Sequence, residues 1–196
     1  MITFNYNVLA SYDVETTGET AGYHEIVQCA IVPLDSNLDP LDVSPFNMMM
    51  RPDHPERAQK DAMRCHGIGM EKLMLHPDKA QVADCLHEWF RSLKLPFDKR
   101  FISLTQNGLF DIPHMKAWLG ERSYHDYFCF NGRDTMQYAL SLNDVAAWRN
   151  QPIPFNGVGL KALAKRLGVV LDNHHDALED ALACARVYRE MLRLEL

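Results

Sequence analysis

Three β-like runs follow one another within the first fifty residues, and they constrain the fold more than any other feature. "NVLASYDVETTGET" reads as a buried strand, with Val8, Leu9 and Tyr12 as its apolar part and Thr17-Gly18 as its closing turn. "EIVQCAIVPLD" is a second strand and "PFNMMMRP" a third. Connections this short predict an antiparallel meander. After Arg51 the chain is rich in proline, histidine and charge as far as Asp61. Strands and helices then alternate. Grouped strands followed by alternation predict an α/β fold, a mixed sheet with helices on its faces.

The later segments fill in that plan. Short helices flank a corner at Gly67 to Gly69. "DKAQVADCLHEWFRSL" predicts an amphipathic helix, because Val82, Cys85, Leu86, Trp89, Phe90 and Leu93 recur at three and four spacing. "RFISLTQNGLF" is a strand running into a turn, and "DIPHMKAWL" a helix with Pro113 in its first turn, where proline is tolerated. "YFCFNGRDT" predicts another short strand. "DTMQYALSL" and "VGLKALAKRLGVV" are helices, the second stopping at Gly168, and a last helix spans roughly Ala177 to Leu194. Asn143 to Asn156 is the expected mobile loop. With 196 residues and no linker-like tract, a single domain over residues 1–196 is expected.

Charge and cysteine usage narrow the function classes. A net charge of −6 argues against a chain that coats nucleic acid nonspecifically, since such chains carry a basic excess. It is compatible with a nucleic-acid enzyme whose acidic cluster is neutralised by bound cations. The five cysteines are odd in number and show no CxxC spacing, so they read as buried free thiols in a reducing compartment. No apolar run approaches the roughly 18 residues of a membrane span, and MITFNYN lacks a basic segment leading into an apolar one. A cytoplasmic protein without a membrane partner is expected.

Acidic residues recur where strands end and helices begin. Asp13 and Glu15 close the first strand, and a spacing of two puts both on one face. Such a pair is costly if buried without a partner, and a metal ion would offset that cost. Alone, this D-x-E also fits a solvated strand end. Asp111 follows a later strand and opens a helix, where capping and the helix dipole explain an aspartate equally well. "LDNHHDALEDALACARVY" holds His174, His175 and Asp180, with Asp176 or Asn173 as the cap of the last helix. Asp180 lies one turn inside, beside small apolar residues, and needs a partner there.

Taken in order, "DVETTG", "QNGLFD" and "HDALEDA" resemble the three exonuclease motifs of the DEDD superfamily in its histidine-bearing subtype. The pattern D-x-E, N-x-x-F-D, H-x-x-x-x-D falls here on Asp13 and Glu15, on Asn107, Phe110 and Asp111, and on His175 and Asp180. His175 stands five before Asp180 and His174 six, so the resemblance assigns the catalytic position to His175 and leaves His174 as a solvated neighbour. "EIVQCAIV", "HGIGMEKL", "GRDTMQYAL" and "VGLKALAKRLGVV" are similar to the family's accompanying segments, so the likeness runs from about Tyr12 to Tyr188. Gln106 departs from the histidine that many relatives have before the asparagine. Pro52 to Ala62 is longer and more charged than expected.

The resemblance implies a ribonuclease H-like fold with a five-stranded mixed sheet. It also implies 3′→5′ exonuclease activity on single-stranded ends, with DNA slightly preferred and nucleoside 5′-monophosphates released. The implied cofactors are two Mg²⁺ or Mn²⁺ ions about 3.5–4 Å apart, held by Asp13, Glu15, Asp111 and Asp180. His175 would be the general base, suited by an ordinary pKa of about 6.5. The terminal nucleotide would meet Thr16, Thr17, His66, Asn107 and Phe110. Three alternatives stand beside this reading: an RNA 3′-end trimming exoribonuclease, a partner-dependent proofreading or repair subunit of a polymerase assembly, and a binder without catalysis. The last should lack at least one of the five core residues, and all five are present.

Overall fold

A computed structural model describes residues 3–4, 7–96, 99–171 and 175–194. The strands are β1 (Thr3–Phe4), β2 (Asn7–Thr16), β3 (Ile26–Pro33), β4 (Phe46–Met49), β5 (Phe101–Thr105) and β6 (Arg133–Asp134). The helices are α1 (Lys60–His66), α2 (Met70–Leu73), α3 (Lys79–Ser92), α4 (Gly108–Leu119), α5 (Glu121–Tyr127), α6 (Thr135–Trp148), α7 (Leu160–Leu167) and α8 (Ala177–Leu192). Five strands run in the order β4-β3-β2-β5-β6, and the two-residue β1 folds back onto β2 as a short sixth. The predicted meander is present: β2 pairs antiparallel with β3, and β3 with β4. β5 adds to β2 in parallel, and β6 to β5.

The two-residue period of β2 sorts its side chains between two cores. Val8, Ala10, Tyr12 and Val14 face one way, joining Cys29, Ile31 and Phe101 against Val82, Leu86, Met115 and Tyr124 of α3 to α5. Leu9 faces the other way with Val32, Ile102 and Leu104, beneath Ala139, Leu163, Ala181 and Cys184 of α6 to α8. By the same alternation Asp13 and Glu15 lie on the α8 side. The buried face of α8 is mostly small, with Ala177, Ala181, Ala183, Cys184 and Ala185, which lets the helix lie close to the sheet. Its entry is therefore brought near the carboxyl end of β2.

Several local expectations are corrected. "YFCFN" is not a strand: Tyr127 ends α5, Phe128 makes one bridge to Phe101, and only Arg133–Asp134 pair with β5. Aromatic content favours a strand in general, but Phe128 is used as packing, stacked on Tyr124 at 5.0 Å and tilted against Tyr12 at 5.0 Å. α4 begins at Gly108, so Pro113 stands in its second turn, and the carbonyl it leaves without a partner belongs to exposed Leu109. Residues 143–148 of the expected loop are the end of α6. Cys85 and Cys65 are exposed and Cys129 is intermediate, leaving Cys29 and Cys184 as the buried thiols. Asp176 caps α8, its carboxylate accepting from the amides of Leu178 and Glu179; Asn173 and His174 lie outside the described residues. Among the described residues no helix is long and apolar enough to cross a membrane.

Asn143 pins the segment after α6, donating from Nδ2 to the Phe155 carbonyl at 2.8 Å and accepting the Phe155 amide at 3.0 Å. Phe155 is 2% exposed, so both backbone groups would be left unpaired in an Asn143→Ala variant. We expect that variant to lose about 1–3 kcal/mol, seen as a lower urea midpoint at unchanged slope.

Candidate active site

The site forms where two adjacent parallel strands end. β2 delivers Asp13 and Glu15, and the chain leaving β5 turns at once into α4, which carries Asp111 in its first turn. Asn107 makes that sharp entry possible by adopting a left-handed conformation with φ of 67°, which asparagine tolerates better than most residues. The Gly108 amide donates to Asp134, the residue that caps α6. A ligand cleft outside the carboxyl ends of strands is the usual arrangement in open α/β sheets.

The third component comes from α8. Glu15 pairs with Gln28 across the β2–β3 ladder. Gln28 is 2% exposed and ties the sheet to the start of α8: Nε2 donates to Asn47 at 3.1 Å and to Asp176 at 3.3 Å, and Oε1 accepts the Ala177 amide at 3.5 Å. Just before the cap, His175 is left-handed with φ of 73°, and its amide donates to the Asp180 carboxylate at 3.1 Å. The ring is thereby turned back over the strand end. Among the described residues Glu15, His175 and Asp180 each present a ligand atom within 4.8 Å of the others.

Burial and repulsion dominate the electrostatics. Asp13 is pushed well above the ordinary carboxylate range by burial first, then by the charges of Asp111, Glu15 and Asp180. Glu15 is pushed up to about 8 by burial and by Asp180 and Asp111. Burial also raises Asp111 well above its usual range, which a hydrogen bond from the Val14 backbone partly offsets. Glu15, Asp111 and Asp180 are 9%, 2% and 6% exposed. A set of oxygen donors whose ionised form is suppressed in this way fits a hard divalent cation, which would stabilise the ionised form.

These groups floor an open cleft of about 900 Å³, lined also by Thr16, Gly18, Cys65, His66, Asn107 and Phe110. The structure thus brings Asp13, Glu15, Asp111, Asp180 and His175 together, with four of the five expected substrate-contacting residues around them. Thr17 differs: it is fully buried, its hydroxyl accepts the Glu25 amide at 2.9 Å, and it holds the turn rather than lining the cleft. The Thr16 hydroxyl donates to the Gly18 carbonyl at 2.7 Å. Gly18 is required by close approach, since a Cβ there would stand 2.5 Å from the His24 ring. His66 is half-buried, its Nδ1 accepts the Ile68 amide at 3.0 Å, and burial pushes its pKa down. Phe110 serves two purposes, lining the cleft while packing against the Tyr12 core.

A sequence profile of the exonuclease family (RNase_T) matches residues 11–188. The chain belongs to this exonuclease family. The family uses divalent metals. The DNA polymerase III PolC-type protein of Streptococcus pneumoniae serotype 2 is similar at 27% identity over 179 residues, which cover 90% of this chain and 10% of that protein. The chain therefore spans about a tenth of the length of the curated relatives it matches. Among solved structures, E. coli exonuclease I in complex with a dA16 oligonucleotide has a TM-score of 0.70 at 18% identity, covering 93% of this chain and 40% of that one. The nuclease domain of 3′hExo, a DEDDh family member bound to rAMP, has a TM-score of 0.70 at 17% identity, covering 98% and 94%. Both share the fold of this chain.

Gln28, Asp134 and Cys65 belong to the site's construction and were not singled out by sequence. Gln28 sits in an apolar run where its long-range partners leave no local signal. Asp134 falls in the "GRDT" stretch that the family likeness had already marked. The Cys65 Sγ stands 3.4 Å from both ring nitrogens of His175, a contact between residues 110 positions apart.

The raised carboxyls set the pH dependence of the metal-free protein. Glu15 holds its proton up to about 8 when folded, against about 4.3 when unfolded. The folded state therefore binds more protons between these values, so stability is greatest below the lower one and falls as pH rises through the upper. We expect the melting temperature of the metal-free protein to decline over that window. Glu15→Gln should flatten the decline, and added divalent cation should raise the melting temperature most at the alkaline end. Scanning calorimetry with chelator checks each.

Proposed function

We propose that residues 1–196 form a single 3′→5′ exonuclease domain that hydrolyses phosphodiester bonds at single-stranded ends and releases nucleoside 5′-monophosphates. The observation that carries this reading is the convergence of Glu15, His175 and Asp180, with ligand atoms within 4.8 Å, at the floor of an open cleft in an exonuclease-family chain. Asp13, Glu15, Asp111 and Asp180 would hold two divalent cations, Mg²⁺ or Mn²⁺. Bound there, such cations lower the pKa of a water and neutralise charge growing on the phosphate and leaving oxygen.

The chain's own residues would supply the rest. His175 takes the proton of the attacking water, and its backbone bond to Asp180 keeps the ring over the acids. Thr16 and Asn107 border the place where the terminal nucleotide enters, and Phe110 and His66 offer faces for its base. Stacking of this kind accepts any sequence. A slight preference for DNA is supported by the likeness to a DNA polymerase III and to exonuclease I held on a dA16 oligonucleotide. An RNA-trimming role is supported by the likeness to 3′hExo bound to rAMP. The similarity to a tenth of a polymerase favours a further reading, a proofreading or repair subunit that acts on ends handed to it by a partner.

The test is incubation with Mg²⁺ and 5′-labelled single-stranded DNA and RNA of one sequence. A ladder shrinking from the 3′ end, absent with Asp13→Ala, is expected, and the faster strand fixes the substrate class. No ladder on either strand, with Mg²⁺ or Mn²⁺, would move the assignment to the partner-dependent subunit. His175→Ala should slow turnover by about 10²–10⁴-fold. Because the base must be neutral to accept a proton, the wild-type rate should climb from about pH 6 to about pH 8. A flat profile there would remove His175 from that role.

A further inference from the structure

We propose that the exposed face of α7 is a track for a single nucleic-acid strand, on which Lys161 and Lys165 hold the phosphates that lie upstream of the one at the cleft floor. This deepens the exonuclease reading and rests on it in one respect, that the cleft takes up a strand by its 3′ end. It adds that the chain grips more of the strand than the terminal nucleotide, and it gives the direction in which the strand leaves the cleft.

Charge is unevenly spread along the sequence. From Val145 to Leu171 the chain carries Arg149, Lys161, Lys165 and Arg166 and no acidic residue, in a protein of net charge −6. The cleft itself is acidic: Asp13, Glu15, Glu19, Asp61, Asp111 and Asp180 line it, with Lys60 as the one lysine or arginine among the described lining residues. Cations bound at the floor would neutralise one phosphate, but the next phosphates of a strand need positive charge outside it. The α1 wall does not offer that charge, because Lys60 adjoins Asp61 in sequence and the Glu19 amide donates to the Gln59 side chain beside them at 3.3 Å. The wall formed by Gly159 and Leu160, where α7 starts, brings no acid with it.

Gln106 sets α7 beside the floor. It follows β5 directly, its Nε2 donates to the Val158 carbonyl at 3.0 Å, and its Oε1 accepts the Thr135 hydroxyl. The chain just ahead of α7 is thereby held against the strand end that leads to Asp111. Arg166 pins the preceding loop, its Nε donating to the Pro154 carbonyl at 2.9 Å. α7 turns Leu160, Leu163 and Ala164 into the core, which leaves Lys161 and Lys165 exposed. Four residues apart, they share one face of the helix with their Cβ atoms about 5–6 Å apart, close to the separation of successive phosphates in an extended strand. Neither is held in an ion pair among the described residues. Lys165 lies about 7.5 Å further along the helix axis than Leu160, so the pair leads outward from the cleft. An ammonium on a flexible stem meets backbone phosphates whatever the base sequence.

The test is binding of a 5′-labelled single-stranded DNA oligonucleotide to the full chain, followed by fluorescence anisotropy in chelator over a range of salt. Lys161→Gln/Lys165→Gln is compared with Arg91→Gln/Lys94→Gln, which removes the same charge from exposed positions at the end of α3, on the other face of the sheet. The α7 variant should bind on the order of tenfold more weakly at low salt, and its slope of log affinity against log salt should shrink by roughly 1.4, about 0.7 for each phosphate contact on a single strand. Lys161→Arg/Lys165→Arg should keep the wild-type affinity, and the α3 variant the wild-type slope. No binding by the wild type, an unchanged slope in the α7 variant, or an equal loss in the α3 variant overturns the track. In the Mg²⁺-supported reaction, kcat/KM of Lys161→Gln/Lys165→Gln should fall on a long strand far more than on a dinucleotide, whose single phosphate occupies the floor; equal losses on both also overturn it. If the strand is bound with the expected salt dependence but never shortened, the exonuclease reading fails and the track stands.

Discussion

Repulsion among buried carboxyls is the constraint around which this molecule is organised. On top of the cost of burial, the charges of Asp111, Glu15 and Asp180 raise the pKa of Asp13, and those of Asp180 and Asp111 raise that of Glu15. No local preference would bring such groups together, so the rest of the fold must hold them. Two apolar cores, one on each face of the sheet, supply that force. The long buried β3 and the five consecutive buried residues of β5 flank β2 and leave its end little freedom to spread the acids apart. Stability is thereby exchanged for a set of oxygen donors whose chemistry suits a divalent cation.

Polar ties then set the fine positions. Gln28 is the clearest case, joining the sheet to the α8 cap and so fixing Asp180 opposite Glu15. Tyr12 acts from the other face: its hydroxyl meets that of Tyr124 at 3.3 Å beneath Asp111 and stiffens the strand that carries Asp13. The turn after Glu15 is closed by Thr16 and Thr17 bonds and by the fit of Gly18 against His24. The floor of the cleft thus depends on contacts from both sides of the sheet.

Much of this is legible in the residues. The meander follows from short connections between apolar runs, and the five core residues stand out once the three motifs are read in order. What escapes the sequence is long-range. "YFCFN" has the aromatic content of a strand, yet those rings are recruited by Tyr12 and Tyr124. Thr17 occupies a motif position beside Thr16, but the bulge between Glu15 and Thr16 changes the strand's alternation, and Thr17 is spent on Glu25. Cys85 shares the spacing of an apolar helix face and is exposed all the same, because three- and four-spacing marks a stripe wider than the sheet covers.

The placement of His175 shows how one backbone choice links these levels. A left-handed residue immediately before a capped helix is anchored by main-chain bonds, with its amide on Asp180 and the next residue's carboxylate on the first turn. Its ring can therefore face the acids on one side and the α1 thiol on the other.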